Sequence, residues 1–151
     1  MEKYVHKVRY YETDKMGITH HSNYVRWMEE ARIDFLDRIG LGYKKMEDAG
    51  VVSPVVAVSC EYKAPTTFDD KVGIAVDVEE FRGVKLVLRY TMTNEEDGKT
   101  VMLGNSEHCF LDQSGRPIAL KRRFPELDAA LKALASAGKT EENVQHRSER
   151  A

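Results

Sequence analysis

The spacing of apolar residues changes from helical to alternating near Pro54, and that change limits the folds open to this chain. From Tyr24 the large apolar residues recur at helical spacing: Tyr24, Trp27, Met28, Ala31, Phe35, Leu36 and Ile39. Intervals of three and four place them on one face of a helix. Ser22 or Asn23 can cap its start, and Gly40 or Gly42 its end. From Pro54 the period becomes two. Val56, Val58, Cys60 and Tyr62 form one alternating set, and Val72, Ile74, Val76 and Val78 a second. Val84, Leu86, Leu88 and Tyr90 form a third, and residues 100–111 hold a fourth run. Period two puts each set on one face of a strand. Arg82-Gly83 and Asp97-Gly98 read as turns between runs, the second as a hairpin signal. Residues 4–12 also alternate and add a fifth strand.

These elements predict an α+β fold. A meander of four antiparallel strands, joined by the N-terminal strand, lies against one long helix. Shorter helices are expected over 43–49 and 125–135. Residues 1–135 form one domain. Residues 136–151 are polar, with Val144 as the one large apolar side chain, and are expected to be a disordered tail.

Charge bounds the function. The 23 Lys and Arg nearly balance the 25 Asp and Glu, which argues against non-specific nucleic-acid binding. Cys60 and Cys109 lie inside strand-like runs without Cys or His at metal spacing, and read as core residues of a reducing compartment. No apolar signal core and no membrane-length apolar run is visible, so a soluble cytoplasmic protein is expected.

The polar stretch 12–22 precedes the helix and carries Asp14, Gly17, His20 and His21. A carboxylate close to the free N–H groups of a helix start is a place where developing negative charge can be held. Without more context, a solvated turn residue is the plainer reading of such an Asp. His20 and His21 are adjacent, and adjacent residues rarely converge on one ion; no third ligand sits at useful spacing, so no metal is expected. Gly104-Asn105-Ser106 lacks the G-x-S-x-G elbow, and no glycine-rich phosphate loop is present.

Tyr11-Glu12-Thr13-Asp14, Gly17, His21, Asn23-Tyr24, the helical turn Glu29-Glu30-Ala31-Arg32, and Tyr62-Lys63-Ala64-Pro65 with Asp70 together resemble hotdog-fold acyl-CoA thioesterases. The branch is that of 4-hydroxybenzoyl-CoA thioesterases and YbgC-like proteins. The resemblance covers residues 4–125. It implies a sheet wrapped around one central helix, assembly as a homodimer or homotetramer, and active sites at the subunit interface. It implies hydrolysis of acyl-CoA to free acid and CoA, without a further cofactor, since CoA belongs to the substrate. It gives Asp14 the role of nucleophile or general base, with the His21 N–H as principal oxyanion donor and Gly17 permitting close approach. His20, Asn23 and Tyr24 then lie around the substrate. Basic residues for the CoA phosphates are expected at Arg82 and Lys85, or at Lys121, Arg122 and Arg123. Two alternatives stay open. One is a non-catalytic acyl-thioester binding module. The other is an enoyl-thioester hydratase or dehydratase, against which the missing Asp-x-x-x-x-His pattern argues.

Overall fold

The apolar stripe forms the helix it predicts. In the computed structural model, which describes residues 2–40 and 42–149 (139–149 as backbone only), helix α1 spans Ser22–Arg38. Tyr24, Trp27, Met28, Ala31, Phe35 and Leu36 are buried along it. Burying a large apolar side chain contributes roughly 1.5–3 kcal/mol, so this one face anchors the helix. Its partner is the sheet, built from β1 (Tyr4–Lys7), β2 (Val55–Tyr62), β3 (Lys71–Phe81), β4 (Lys85–Asn94) and β5 (Thr100–Cys109). Val72, Ile74, Val76 and Val78 of β3 and Leu86, Leu88 and Tyr90 of β4 are at most 5% exposed, on the face each alternation assigns to the core.

All pairings are antiparallel, and the strand order is β1-β3-β4-β5-β2. The expected meander therefore holds only for β3, β4 and β5. The strand β2 does not pair with β3. It lies beyond β5, with Cys60 opposite Gly104 and Tyr62 opposite Met102. Short turns join β3 to β4 and β4 to β5, which consecutive antiparallel neighbours allow. The longer connection 63–70 can instead traverse the end of the sheet. It leaves β5 at Val101, whose carbonyl accepts the Lys63 N–H at 2.9 Å, and reaches β1 at Val8, which donates its N–H to the Asp70 carbonyl at 2.9 Å.

The crossing leaves β2 on an open edge. Val55, Val56, Val58 and Tyr62 are 45%, 57%, 42% and 48% exposed. At the other edge β1 pairs only with 71–74 of β3. Helix α3 packs on β3 and carries Leu127, Leu131 and Ala135 into the core. It spans Pro125–Glu149, longer than the expected 125–135. The tail expected over 136–151 falls largely outside the described side chains. Helix α2 (Tyr43–Asp48) contributes Met46 to the core. Among the described residues no helix is long and apolar enough to cross a membrane.

Candidate active site

Asp14 sits in a small closed turn. A bridge pairs Thr13 with Thr19, the Asp14 N–H donates to the Ile18 carbonyl at 2.8 Å, and the Gly17 N–H donates to the Asp14 carbonyl at 3.0 Å. Gly17 has φ +78°, a left-handed conformation that glycine adopts without a Cβ penalty. The Met16 N–H donates to Asp14 Oδ1 at 2.8 Å. No described residue donates to Oδ2. The crossing connection holds the turn from the outside: the Thr19 N–H donates to the Thr66 carbonyl at 2.8 Å, and Thr67 Oγ1 donates to the Gly17 carbonyl at 2.9 Å.

The turn delivers the chain to the start of α1, where each N–H has a distinct fate. The His20 N–H goes to the Glu12 carbonyl at 2.8 Å, the Asn23 N–H to the His20 carbonyl at 3.0 Å, and the Tyr24 N–H to the His21 carbonyl at 3.3 Å. The Ser22 N–H donates to His20 Nδ1 at 3.2 Å. Neither Ser22 nor Asn23 is the side-chain cap that the sequence predicts; an imidazole nitrogen serves instead. The His21 N–H meets no acceptor among the described residues. One unclaimed donor thus stands at the positive end of the α1 dipole, which suits it to an anion.

Asp14, His20 and Asn23 line one open cavity of about 730 Å³, together with Tyr10, Lys15 and Arg26. His21 and Tyr24 line a second of about 350 Å³, with Ile18, Thr19, Tyr62 and Pro65. Both cavities reach the first turn of α1: Ser22 and Asn23 line the first, His21 and Tyr24 the second. The His20 and His21 rings, one from each cavity, stack with centroids 4.3 Å apart. Tyr24 is buried, and its hydroxyl meets Thr66 Oγ1 at 2.9 Å, which in turn meets Thr19 Oγ1 at 2.6 Å. Burial raises the Tyr24 pKa against the opposing effect of these bonds, so the phenol stays protonated. Tyr24 is a wall of the site, fixed by a hydroxyl chain.

The basic candidates lie elsewhere in the protomer. Arg82 pairs with Glu80 and lines a cavity of about 640 Å³ with Glu79, Arg89 and Glu107. Lys85 opens β4. Lys121 and Arg122 belong to a short 3-10 turn, Leu120–Arg122, and the Arg123 guanidinium donates to the Ala49 carbonyl at 2.9 Å. None of the five lines either cavity beside α1. The cations that do are Lys15 and Arg26, with Lys63 at the second cavity. The sequence reading passes over Lys15 and Arg26, although Lys15 adjoins Asp14 and Arg26 follows Asn23 by about one helical turn.

A serine–histidine pair that no motif announced lies in the core. Ser106 Oγ is 2.7 Å from His108 Nε2, and the chain continues through the Tyr90 hydroxyl at 2.6 Å to the Arg32 guanidinium at 3.2 Å. Ser106 is 0% exposed and so is no nucleophile for a substrate. Burial first, and the Arg32 charge second, push His108 down to about 4, leaving it neutral.

A five-stranded antiparallel sheet laid against one long buried helix defines a hotdog fold. The chain belongs to the thioesterase-like superfamily, whose family model matches residues 8–134. It is 35% identical to YneP of Bacillus subtilis, named as a candidate acyl-CoA thioesterase, over 82% of this chain and 90% of that one. It is 30% identical to the acyl-CoA thioester hydrolase YbgC of Escherichia coli O6:H1, over 60% of this chain and 68% of that one. Among solved structures it resembles the DHNA-CoA thioesterase of Staphylococcus aureus, with a TM-score of 0.85 at 32% identity, covering 93% of this chain and 94% of that one. The hotdog thioesterase resemblance read from the loop and the helix holds.

Proposed function

We propose that this protein hydrolyses acyl-CoA thioesters to a free acid and CoA, with Asp14 as the reacting carboxylate and the His21 N–H as the oxyanion donor. The observation that carries this reading is the unclaimed His21 N–H at the start of α1, on the same loop as a carboxylate with one unengaged oxygen. As a general base, Asp14 takes a proton from water while the water oxygen bonds to the thioester carbon. The carbonyl oxygen becomes an oxyanion against the N–H, then the C–S bond breaks and the thiolate leaves. A thiol pKa near 8–9 lets it leave without a dedicated acid. As a nucleophile, Asp14 itself bonds to the thioester carbon, the C–S bond breaks and the thiolate leaves, and water then opens the mixed anhydride. In a single turnover in ¹⁸O-water, label in the Asp14 carboxylate marks the second route, with water attacking the Asp14 carbonyl; the general-base route labels the product acid alone.

The acyl group we assign to the aromatic-walled cavity. The Tyr62 ring sits edge-on to His21 and to Tyr24, with centroids 6.2 and 5.3 Å apart. Flat acyl groups suit such walls. We place the CoA phosphates on Lys15 and Arg26 of the same protomer. Arg82, Lys85 and Lys121–Arg123 would reach this site only from another subunit. The open β2 edge, rich in exposed valine, supports assembly as a homodimer through that strand, with a homotetramer as its doubled form.

The test is a panel of short aliphatic, long-chain and aromatic acyl-CoAs, with free thiol as the readout. Wild type releases thiol, fastest from aromatic acyl groups, while Asp14→Ala binds substrate and releases none. Equal turnover by both proteins would remove Asp14 from the mechanism, and turnover of no thioester would favour a binding module.

A further inference from the structure

Glu12 lies two residues before Asp14, is 5% exposed, and is not used by the mechanism above. Its Oε1 accepts the Arg9 N–H at 2.7 Å and stands 2.8 Å from His6 Nε2. Its Oε2 accepts the Trp27 indole N–H at 2.6 Å. Its carbonyl accepts the His20 N–H at 2.8 Å and Asn23 Nδ2 at 3.0 Å. Asn23 Nδ2 also donates to the His20 carbonyl at 3.2 Å. One residue therefore joins β1 through His6, the loop through Arg9 and His20, and α1 through Trp27 and Asn23. His6 is itself held on its far side, with Nδ1 3.1 Å from Glu30 Oε2.

Both ends of Glu12 point inward, so it touches no substrate. Its effect is on which donor remains. By taking the His20 N–H, the Glu12 carbonyl makes the next N–H, that of His21, the first one left over. By gripping Trp27, 0% exposed at the centre of the core, the carboxylate fixes where that carbonyl stands. We propose that Glu12 is a positioning residue that sets the His21 N–H relative to Asp14. The proposal rests on the thioesterase reading given above.

The isosteric change Glu12→Gln is informative because an amide has one acceptor and one donor end. Oε1 and Oε2 together receive at least two N–H groups, so the amide –NH₂ must face one of them, and a buried donor goes unpaired. Per folded molecule, we expect kcat for acyl-CoA hydrolysis to fall about 10- to 100-fold while KM stays within about 3-fold, as for an interaction felt in the transition state. The backbone amides of His20 and His21 should shift in ¹H–¹⁵N spectra, and that of His20, which donates to the Glu12 carbonyl, should exchange faster. Asn23→Ser removes the bridge to the two carbonyls and keeps the carboxylate network, so its amide spectra serve if Glu12→Gln folds poorly. It should move the same amides, and combined with Glu12→Gln it should add less than its own effect. A kcat that falls only with the folded fraction, or His20 and His21 amides identical to wild type, would overturn the proposal. If wild type hydrolyses no acyl-CoA, the thioesterase reading fails by itself, and the amide data still decide whether Glu12 governs the His21 N–H.

Discussion

The Tyr62 hydroxyl donates to the His21 carbonyl across 3.1 Å. That bond ties the last residue of the open edge strand to the residue that precedes the first turn of α1. Tyr62 is also a wall of the aromatic cavity. The same side chain thus belongs to the sheet edge, the helix start and the proposed acyl site.

Tyr62→Phe keeps the ring and removes the bond. A hydrogen bond contributes about 0.5–1.5 kcal/mol net, which corresponds to a rate effect of roughly two- to ten-fold if all of it is felt in the transition state. We predict a fall in kcat of that size with an unchanged oligomeric state, read from acyl-CoA kinetics and light scattering. A loss of activity that tracks subunit dissociation would assign Tyr62 to assembly alone.

Val58→Lys tests the edge. Val58 is 42% exposed in the protomer, so a charge there changes monomer stability little, within about 0.5 kcal/mol. Buried between paired β2 strands it would be severe. Light scattering should report a folded monomer, with thioesterase activity strongly reduced. An unchanged dimer would move the interface off β2.

Gly104→Ala probes the seam between β5 and β2. An added Cβ would stand 2.8 Å from the Ser59 carbonyl, a backbone atom, and 3.0 Å from Met102 Sδ. Overpacking of this kind costs about 1–3 kcal/mol. Thermal unfolding should shift down and the proposed dimer should weaken, because β2 is pushed away from β5, its partner strand among the described residues. Full stability would mean that the two strands can separate locally without loss.

Acid sensitivity should trace in part to His108. The folded pKa is near 4 against an ordinary value of 6.5, so between these the unfolded chain binds a proton that the folded chain does not. The stability from keeping this group neutral is therefore complete above about pH 6.5 and is lost as pH falls toward 4. His108→Gln can still accept from Ser106 but does not titrate. Its melting temperature should fall less steeply than that of wild type across that window. Parallel slopes would refute the assignment.

The helix and the strand faces were legible because burial on one side leaves a period in the sequence. Trp27, Phe35, Ile74 and Leu88 lie where that period puts them. The place of β2 was not legible, since an alternating strand fits either sheet edge equally well and only the length of 63–70 hints at a crossing. Asp14 stood out through its motif. Glu12 did not, because a polar residue in a polar loop carries no sign of burial; its burial comes from His6 and Trp27, brought to it by other elements. Arg32 falls one helical turn beyond Met28, on the apolar stripe, and the Tyr90 hydroxyl that receives it lies 58 positions away. The basic clusters near 82 and 121 were visible as charge, but charge on a surface does not say which cavity it faces.

The crossing connection has a consequence for how the molecule is made. Thr19 and Thr66, whose contact holds the Asp14 turn, are 47 positions apart, and Tyr62 and His21 are 41 apart. Such contacts close long loops and form slowly compared with the hairpins that build β3, β4 and β5. The turn can close on itself early, yet it docks only after β2 has found β5 and the chain has turned back over the sheet end. During refolding, β-sheet ellipticity should therefore return before thioester hydrolysis does, and activity recovered with the first β signal would contradict that order. In that order of events catalytic competence is a late product of folding, and a thiol-release assay would double as a clock for its final step.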